Sequence, residues 1–198
     1  MQNRFSKSGH GPDSGPAVNS VRKDRVCRLP VVFLVGFMGA GKTSVGRALS
    51  LRLGLPFEDL DDRIEEREGK TIAQIFRDAG EVEFRKAETA ALRELLAELG
   101  SLSRVVALGG GAFVEPVNAA LIEEAIARSV FLDAPIKELL RRCEKEQRER
   151  PLRQNPKQFR ELYERRRPSY MKAAIRIETD GKNVDTVAAE VACALGLE

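Results

Sequence analysis

The stretch Gly36-Phe-Met-Gly39-Ala-Gly41-Lys42-Thr43 fits the pattern GxxxxGK[ST] without a mismatch. It follows a continuous apolar run, Val31–Val35, which is typical of a central parallel strand covered on both faces. The residues after it predict a helix over Lys42–Leu53, with Gly54 as its C-terminal cap. A strand, a glycine-rich turn and a helix in this order predict a loop that binds the phosphates of a nucleotide.

Each residue type in this loop has a physical task. The glycines allow backbone N–H groups to turn toward phosphate oxygens, and the helix N-terminus adds its partial positive charge. Lys42 is predicted to bridge the β- and γ-phosphates, and the Thr43 hydroxyl to hold Mg²⁺. The predicted ATP-binding residues of the loop are Gly39, Ala40, Gly41, Lys42, Thr43 and Ser44.

The chain has 198 residues, of which 42% are hydrophobic and 32% charged, and this predicts one compact domain. The longest apolar run has about ten residues, against the roughly twenty of a membrane helix, so we expect no membrane partner. His10 is the only histidine, which argues against chemistry that depends on histidine. The three cysteines form no CxxC pair, as is usual in a reducing compartment, and we expect a cytoplasmic protein.

Strand signals alternate with helix signals along the chain. Gly80 separates a short helix, opened by the capping box Thr71-Ile-Ala-Gln74, from a long one. The pattern predicts an α/β fold in three layers, a five-stranded parallel sheet with helices on both faces. Strands are predicted at 31–35, 56–60, 104–108, 129–133 and 175–178, and the helices after the first at 62–68, 71–79, 81–99, 116–127, 135–146 and 184–195.

The basic character of the chain comes from its beginning. Residues 1–30 contain six basic and two acidic residues, while the whole chain has a net charge of +3. Residues 1–29 are rich in Gly, Pro and Ser and lack apolar periodicity, so we predict a disordered basic tail before a single domain at 30–198. The folded part is close to neutral, and we expect no nucleic-acid partner.

Two further segments are candidates for an acceptor site. Asp59-Leu60-Asp61 ends the second predicted strand, and strand alternation would direct both carboxylates to one face. The alternative is that they cap the helix that follows. The run Gly109-Gly110-Gly111 follows the third strand, and its N–H groups suit an anionic or hydroxylated ligand, although glycines also simply make turns.

Taken together, these motifs resemble the shikimate kinase family, which has the nucleoside monophosphate kinase-like P-loop NTPase fold. The resemblance covers the chain from about Val31 to its end. Its motifs, in order, are 36–43, Asp59-Leu-Asp61, Gly80-Glu-Val-Glu-Phe-Arg85, Leu108-Gly-Gly-Gly111, Arg150-Pro-Leu152 and Arg166-Arg-Pro168-Ser-Tyr170.

The resemblance implies a role for each matching position. Asp59 would help to hold Mg²⁺, together with Thr43, and Asp61 would bind the acceptor hydroxyls and act as the base. Arg85 and Arg166 would pair with the carboxylate of shikimate, which suits two planar guanidinium groups. Further substrate contacts would come from Gly109, Gly110 and Gly111, with Phe76 and Phe84 either lining the ring pocket or simply filling the core, and Glu88 orienting Arg85.

The resemblance also implies a mobile lid at about 144–157. Residues 137–167 contain twelve basic and six acidic residues, an excess that suits a segment covering polyphosphate. Arg150 would reach the transferred phosphoryl group as a catalytic residue, beside Lys42 and Asp61, and Arg142 would stack on adenine.

The implied reaction is the phosphorylation of the shikimate 3-hydroxyl by ATP, with Mg²⁺ as cofactor, in aromatic amino-acid biosynthesis, and the protein is expected to be a monomer. The alternatives are a gluconate-type kinase of the same fold, a nucleoside monophosphate kinase, and a nucleotide-binding regulatory module without turnover. The segments around Arg85 and Arg166 favour shikimate among these.

Overall fold

The computed structural model describes residues 31–99, 103–125, 127–145 and 155–197. The predicted tail at 1–29 and the central part of the predicted lid, 146–154, lie outside the described residues. Both therefore stay predictions.

Five strands form one parallel sheet, as predicted. They are β1 (Val31–Val35), β2 (Phe57–Asp59), β3 (Val105–Ala107), β4 (Ala127–Asp133) and β5 (Ile175–Glu178). Their order across the sheet is β2-β3-β1-β4-β5, and every neighbouring pair is parallel. All five residues of the central strand β1 are buried, because helices cover it on both sides.

The helices lie on the two faces of this sheet, which confirms the three-layer α/β architecture. Helices α1 and α7 contact each other on one face, while α6 places Tyr170 against Phe131 of β4 on the opposite face. The helices are α1 (Lys42–Leu53), α2 (Leu60–Glu68), α3 (Ile72–Leu99), α4 (Pro116–Glu124), α5 (Ile136–Lys145), α6 (Pro156–Tyr170) and α7 (Val184–Ala194), with a 3₁₀ turn at Ala112–Val114. None of the described helices combines the length and the apolar content that crossing a membrane requires.

The sheet order decides where a ligand binds. From β1 the chain moves outward on one side to β2 and returns through β3, and it then continues on the other side to β4 and β5. In open parallel sheets, the crevice at such a change of direction, beyond the carboxyl ends of the strands, is the usual ligand site. The loops after β1, β2 and β3, which carry three of the sequence motifs, all end at this edge.

Some predicted boundaries were wrong. β2 ends at Asp59, and Leu60 and Asp61 already belong to α2. β4 begins at Ala127, two residues before its predicted start, because Ala127 pairs with Val31 at the beginning of β1. α6, which carries Arg166, was not predicted at all. The sequence nevertheless marks its start with Asn155, a favoured N-cap residue, followed by Pro156 at the first helical position. In the structure the Asn155 side chain accepts a hydrogen bond from Gln158 N (3.1 Å).

A buried carboxylate fixes α6 against the sheet. Asp133, at the end of β4, is only 4% exposed. It accepts hydrogen bonds from Arg167 Nη2 (2.7 Å), Arg176 Nε (2.9 Å) and the Tyr163 hydroxyl (3.3 Å). Arg167 and Tyr163 belong to α6, and Arg176 to β5, so these bonds hold the helix at one height above the strand ends. The position of Arg166, the neighbour of Arg167, depends on this anchoring.

Gly80 breaks α3 at the predicted point. Its backbone dihedrals are φ 81° and ψ 178°, a region that residues with a side chain rarely adopt. Leu92 and Leu95, in the part of α3 that follows, are fully buried. The break therefore sets the direction in which the second part of α3 leaves, and with it the position of Arg85.

We expect Gly80→Ala to lower the free energy of unfolding by about 2–3 kcal/mol, because alanine is strained at these dihedrals. Gly69→Ala is the matched control. Both glycines have positive φ, and a methyl group on either would meet nothing within 4 Å, but Gly69 lies in the ordinary left-handed region (φ 63°, ψ 19°), where alanine costs roughly 1–2 kcal/mol. Urea unfolding at one pH measures both, and equal losses would contradict the assignment of strain to Gly80.

Candidate active site

The loop after β1 has the geometry of a phosphate cradle. Gly36, Gly39 and Gly41 all adopt positive φ. These backbone conformations are unfavourable for residues with a side chain, and they allow peptide N–H groups to turn toward one point. The Lys42 ammonium group donates to the carbonyl oxygens of Gly36 (3.0 Å) and Phe37 (3.2 Å). These bonds hold the positive charge inside the loop.

The N-terminus of α1 presents backbone N–H groups to this loop. Gly41 is its N-cap, no described side chain caps it, and its first turn contains no acidic residue. The amides of the first turn and the positive end of the helix dipole are therefore directed toward the loop, an arrangement that attracts anions. Ala40 is buried below the loop, and Ser44 lies exposed in the first turn of α1.

The residues predicted to hold a metal ion contact each other. The Thr43 hydroxyl donates to Asp59 Oδ2 at 2.8 Å, so a hydroxyl and a carboxylate adjoin beside the phosphate loop. Mg²⁺ prefers such hard oxygen ligands and usually binds to one or two protein groups, with phosphate and water completing its coordination. The donor set of Thr43 and Asp59 fits this ion.

The DxD segment is not the strand end that the sequence predicted. Asp59 is the N-cap of α2, where its side chain accepts a hydrogen bond from Asp61 N (3.1 Å), so the capping interpretation is correct for Asp59. Asp61 lies in the first helical turn, and the argument from strand alternation was wrong. The two carboxylates nevertheless stay on the ligand edge, since the helix begins where β2 ends.

The side chains that were predicted to bind the substrate come together at the glycine run 109–111. A Cβ atom on Gly109 would lie 2.6 Å from Asp61 Oδ1 and 3.2 Å from Glu88 Oε1. A Cβ atom on Gly111 would overlap the guanidinium group of Arg85. At both positions a side chain would displace a charged group, so the absence of side chains allows this close approach.

The phosphate loop reaches the same glycine run. A Cβ atom on Gly110 would lie 3.7 Å from Arg166 Nη1, 3.8 Å from Met38 N and 3.9 Å from Gly36 O. Arg166 also donates to the Gly110 carbonyl at 3.3 Å. Gly110 thus lies close to both the phosphate loop and one of the two predicted carboxylate-binding arginines.

Glu88 holds Arg85 in place, as predicted. Arg85 Nη1 donates to Glu88 Oε2 at 2.7 Å and Arg85 Nη2 to Glu81 Oε1 at 3.1 Å. Glu88 is fully buried. Burial raises the pKa of Glu88 to about 7, against the opposing effect of Arg85, and the nearby Asp61 and Glu115 carboxylates raise it further. Burial lowers the pKa of Arg85, but the Glu88 and Glu81 carboxylates raise it by more, so the guanidinium group stays charged.

Two aromatic rings lie beside Arg85. Phe76 and Phe84 contact each other with ring centroids 4.6 Å apart, and the Arg85 guanidinium carbon lies 5.0 Å from the centroid of Phe84. Phe84 is buried, while Phe76 is 39% exposed. The exposed part of Phe76 gives this side of the site an apolar surface, and the ring-pocket role of the pair stays a prediction.

Arg142 is held at a fixed orientation on the other side of the sheet edge. It donates to Glu138 Oε1 (2.7 Å), Thr179 Oγ1 (3.0 Å) and the Thr179 carbonyl (2.8 Å). Bonds from three of its nitrogens fix the plane of the guanidinium group, as a stacking surface for a base requires. Arg150, the predicted catalytic arginine of the lid, lies outside the described residues.

One group in the site was missed by the sequence analysis. Tyr170 is fully buried at the end of α6, and its hydroxyl donates to the carbonyl of Gly110. The sequence did mark this residue, because Tyr170 closes the motif Arg166-Arg-Pro168-Ser-Tyr170. Nothing in the sequence indicated that its hydroxyl would reach the glycine run.

The raised pKa of Glu88 predicts a pH-dependent stability. Between its usual value of 4.5 and about 7, the folded protein binds a proton that the unfolded chain releases. The free energy of unfolding therefore falls as pH rises from about 5 to 8, by about 2–3 kcal/mol from this group. Glu88→Gln cannot titrate, so its stability relative to the wild type should increase over this range.

Urea unfolding of both proteins at pH 5, 6, 7 and 8 measures this difference. Glu83→Gln, which removes an exposed carboxylate of the same helix, is the matched control for the loss of one negative charge. Wild-type and Glu88→Gln profiles that run parallel between pH 5 and 8 would contradict a Glu88 carboxyl that titrates near neutrality.

Comparison with known proteins supports the family resemblance that the sequence motifs indicated. The sequence profile of the shikimate kinase family matches residues 38–195. The chain is 45% identical over 165 residues to a shikimate kinase of Geobacter sulfurreducens, covering 81% of this chain and 88% of the relative. It is 38% identical over 160 residues to that of Persephonella marina, covering 81% and 95%.

A solved structure agrees with these relatives. Shikimate kinase from Acinetobacter baumannii, in complex with shikimate, superposes with a TM-score of 0.77 and 39% identity, covering 85% of this chain and 94% of the other. The phosphate loop, the DxD segment and the glycine run meet at one sheet edge with two arginines from distant helices. On this geometry and these matches, the chain belongs to the shikimate kinase family.

Proposed function

We propose that the protein transfers the γ-phosphoryl group of ATP to the 3-hydroxyl of shikimate and releases ADP and shikimate 3-phosphate. The observation that carries this proposal is the position of Gly110, whose carbonyl accepts a hydrogen bond from Arg166 and on which a Cβ atom would lie within 4 Å of the phosphate loop. A phosphate donor and a carboxylate-bearing acceptor are thereby brought to adjacent sites. The family match supports shikimate as the acceptor.

The phosphate loop, α1 and Lys42 would hold the donor. Transfer of a phosphoryl group passes through a loose transition state, so positioning and neutralisation of charge carry most of the catalysis. The Lys42 ammonium group, fixed by two loop carbonyls, supplies positive charge at the β- and γ-phosphates. Mg²⁺, held through Thr43 and Asp59, would supply further neutralisation of the phosphate oxygens.

Arg85, Arg166 and Asp61 would hold the acceptor. The guanidinium groups of Arg85, beside Gly111, and Arg166, beside Gly110, would bind a planar carboxylate and fix its orientation. Asp61 lies beside Gly109 of the same glycine run, where its carboxylate would accept the proton of the attacking hydroxyl. Arg142 would stack on adenine, and Arg150 would reach the transferred phosphoryl group.

The setting of the enzyme belongs to the same proposal. We propose Mg²⁺ as the cofactor, a monomeric protein and a cytoplasmic location, with the lid at about 144–157 closing over the phosphates. An open site would hydrolyse ATP without transfer, so closure that excludes water fits a kinase.

Measurement of ADP release with different acceptors tests the proposal against its alternatives. Shikimate should support turnover, whereas gluconate, nucleoside monophosphates and reactions without an acceptor should give no more than a low background. Turnover with gluconate alone would replace shikimate by a sugar acid. Nucleotide binding without turnover on any acceptor would favour the regulatory module.

Asp61→Asn should lower kcat by roughly 10²-fold or more, the usual range for a group that moves a proton in the transition state. The side chain keeps its size, so the KM for ATP should stay near that of the wild type. Asp62→Asn, an exposed carboxylate one residue further on, is the matched control. Steady-state ADP release measures both, and full activity of Asp61→Asn would remove Asp61 from the chemistry.

Arg166→Ala should raise the KM for shikimate by roughly 10–10²-fold, because hydrogen bonds to charged groups contribute about 1.5–3 kcal/mol. Arg165→Ala, an exposed neighbour on α6, controls for the loss of one positive charge. Arg166 is a cleaner test than Arg85, whose removal would leave the buried Glu88 unpaired and destabilise the fold. An unchanged KM for shikimate would contradict the pairing of Arg166 with the carboxylate.

A further inference from the structure

Tyr170 has a polar group in a place where a phenylalanine would pack equally well. Its ring is fully buried and lies against Phe131 of β4, with centroids 5.4 Å apart. The hydroxyl is not needed for this packing. It points instead to the glycine run and donates to the carbonyl of Gly110.

The Gly110 carbonyl receives two donors from one helix. Arg166 Nη1 (3.3 Å) and the Tyr170 hydroxyl both bind it, and the two residues lie one turn apart on α6. Such an i, i+4 pair presents its side chains on the same helix face. The carbonyl is therefore held in the plane that both donors require, and the orientation of the 109–111 peptides is set from α6.

The hydroxyl also keeps its donor role at every pH at which the enzyme can be assayed. Burial raises the pKa of Tyr170 to about 12, although the charge of Arg166 and a hydrogen bond with it lower this pKa. A protonated hydroxyl donates to the Gly110 carbonyl, which also accepts from Arg166 Nη1. Tyr170 and Arg166 thus share one acceptor, the Gly110 carbonyl.

We propose that Tyr170 is a positioning residue for the acceptor site, whose hydroxyl holds the Gly110 carbonyl and the Arg166 guanidinium group in the geometry that binds shikimate. The inference rests on the proposed function. The inference goes beyond that function by assigning a role to a residue outside the predicted substrate and phosphate contacts. A Cβ atom on Gly110 would lie 3.8 Å from Met38 N, so the peptide that this hydroxyl holds is also the one that lies nearest to the phosphate loop.

Tyr170→Phe tests this, because it removes one oxygen atom and keeps the ring. The KM for shikimate should rise roughly five- to tenfold, the effect of losing a hydrogen bond of about 1–1.4 kcal/mol. The KM for ATP should stay within a factor of two. Isothermal titration calorimetry with shikimate should show the same five- to tenfold rise in Kd, as a readout that does not depend on turnover.

Tyr163→Phe is the matched control, because the Asp133 anchor of α6 keeps its two shorter bonds in this variant, from Arg167 (2.7 Å) and Arg176 (2.9 Å). Tyr163 lies on the same helix, and its hydroxyl also reaches backbone and side-chain acceptors, Ala134 O and Asp133 Oδ1, each at 3.3 Å, but none of these belongs to the glycine run. A hydroxyl that only stabilises α6 would lower the melting temperature in both variants and leave the KM for shikimate unchanged. Only a positioning hydroxyl changes that KM in Tyr170→Phe and not in Tyr163→Phe.

A double-mutant cycle shows whether Tyr170 acts through Arg166. If it does, Tyr170→Phe should change the Kd for shikimate less than twofold in an Arg166→Ala background. The inference is overturned by a wild-type KM and Kd for shikimate in Tyr170→Phe, by a parallel rise in the KM for ATP, or by full additivity with Arg166→Ala. Failure of the proposed function would be seen separately, as a wild-type protein that does not turn over shikimate.

Discussion

The whole site depends on one stretch of backbone that carries no side chains. In the glycine run 109–111, the carboxylates of Asp61 and Glu88 lie beside Gly109, Arg85 beside Gly111, and Arg166 and the phosphate loop beside Gly110. A methyl group at either end of the run would displace a charged group. Because every partner contacts the same short segment, its conformation decides how far the donor phosphate lies from the acceptor hydroxyl. That distance determines whether phosphoryl transfer occurs at all.

Around this segment, three cationic side chains are held in place by carboxylate, hydroxyl and carbonyl oxygens. Arg85 is fixed by Glu88 and Glu81, Arg142 by Glu138 and Thr179, and Lys42 by the carbonyls of its own loop. Cations that are already ordered need little reorganisation when an anionic substrate arrives. Glu88 illustrates the cost of this arrangement, because its carboxyl group is fully buried and its pKa is raised accordingly. Stability at neutral pH is given up to keep one guanidinium group correctly placed.

Much of this could be predicted from short-range patterns. β1, α1 with its Gly54 cap, and β5 have the bounds that apolar runs and capping residues indicated, and Gly80 breaks α3 where a glycine lies between two helical patterns. The fold class followed from the alternation of strand and helix signals and the family from six ordered motifs, and both were confirmed. Signals of a different kind were misread. Asp61 was assigned to a strand, although the carboxylate of Asp59 caps a helix that already includes it. α6 was not predicted, because the basic excess of residues 137–167 was interpreted as a segment that covers polyphosphate.

The sequence by itself determined the phosphate loop, the alternation of strands and helices, and the residue types available for a carboxylate-bearing acceptor, because these depend on neighbouring residues and on the periods of helix and strand. Only the tertiary structure decided that the Tyr170 hydroxyl reaches Gly110, that Asp133 anchors α6, and that Glu88 is buried deeply enough to titrate near neutrality. These contacts join residues far apart in the chain. They exist because the strand order and the anchoring of α6 bring distant segments to one edge, and no local pattern contains that information.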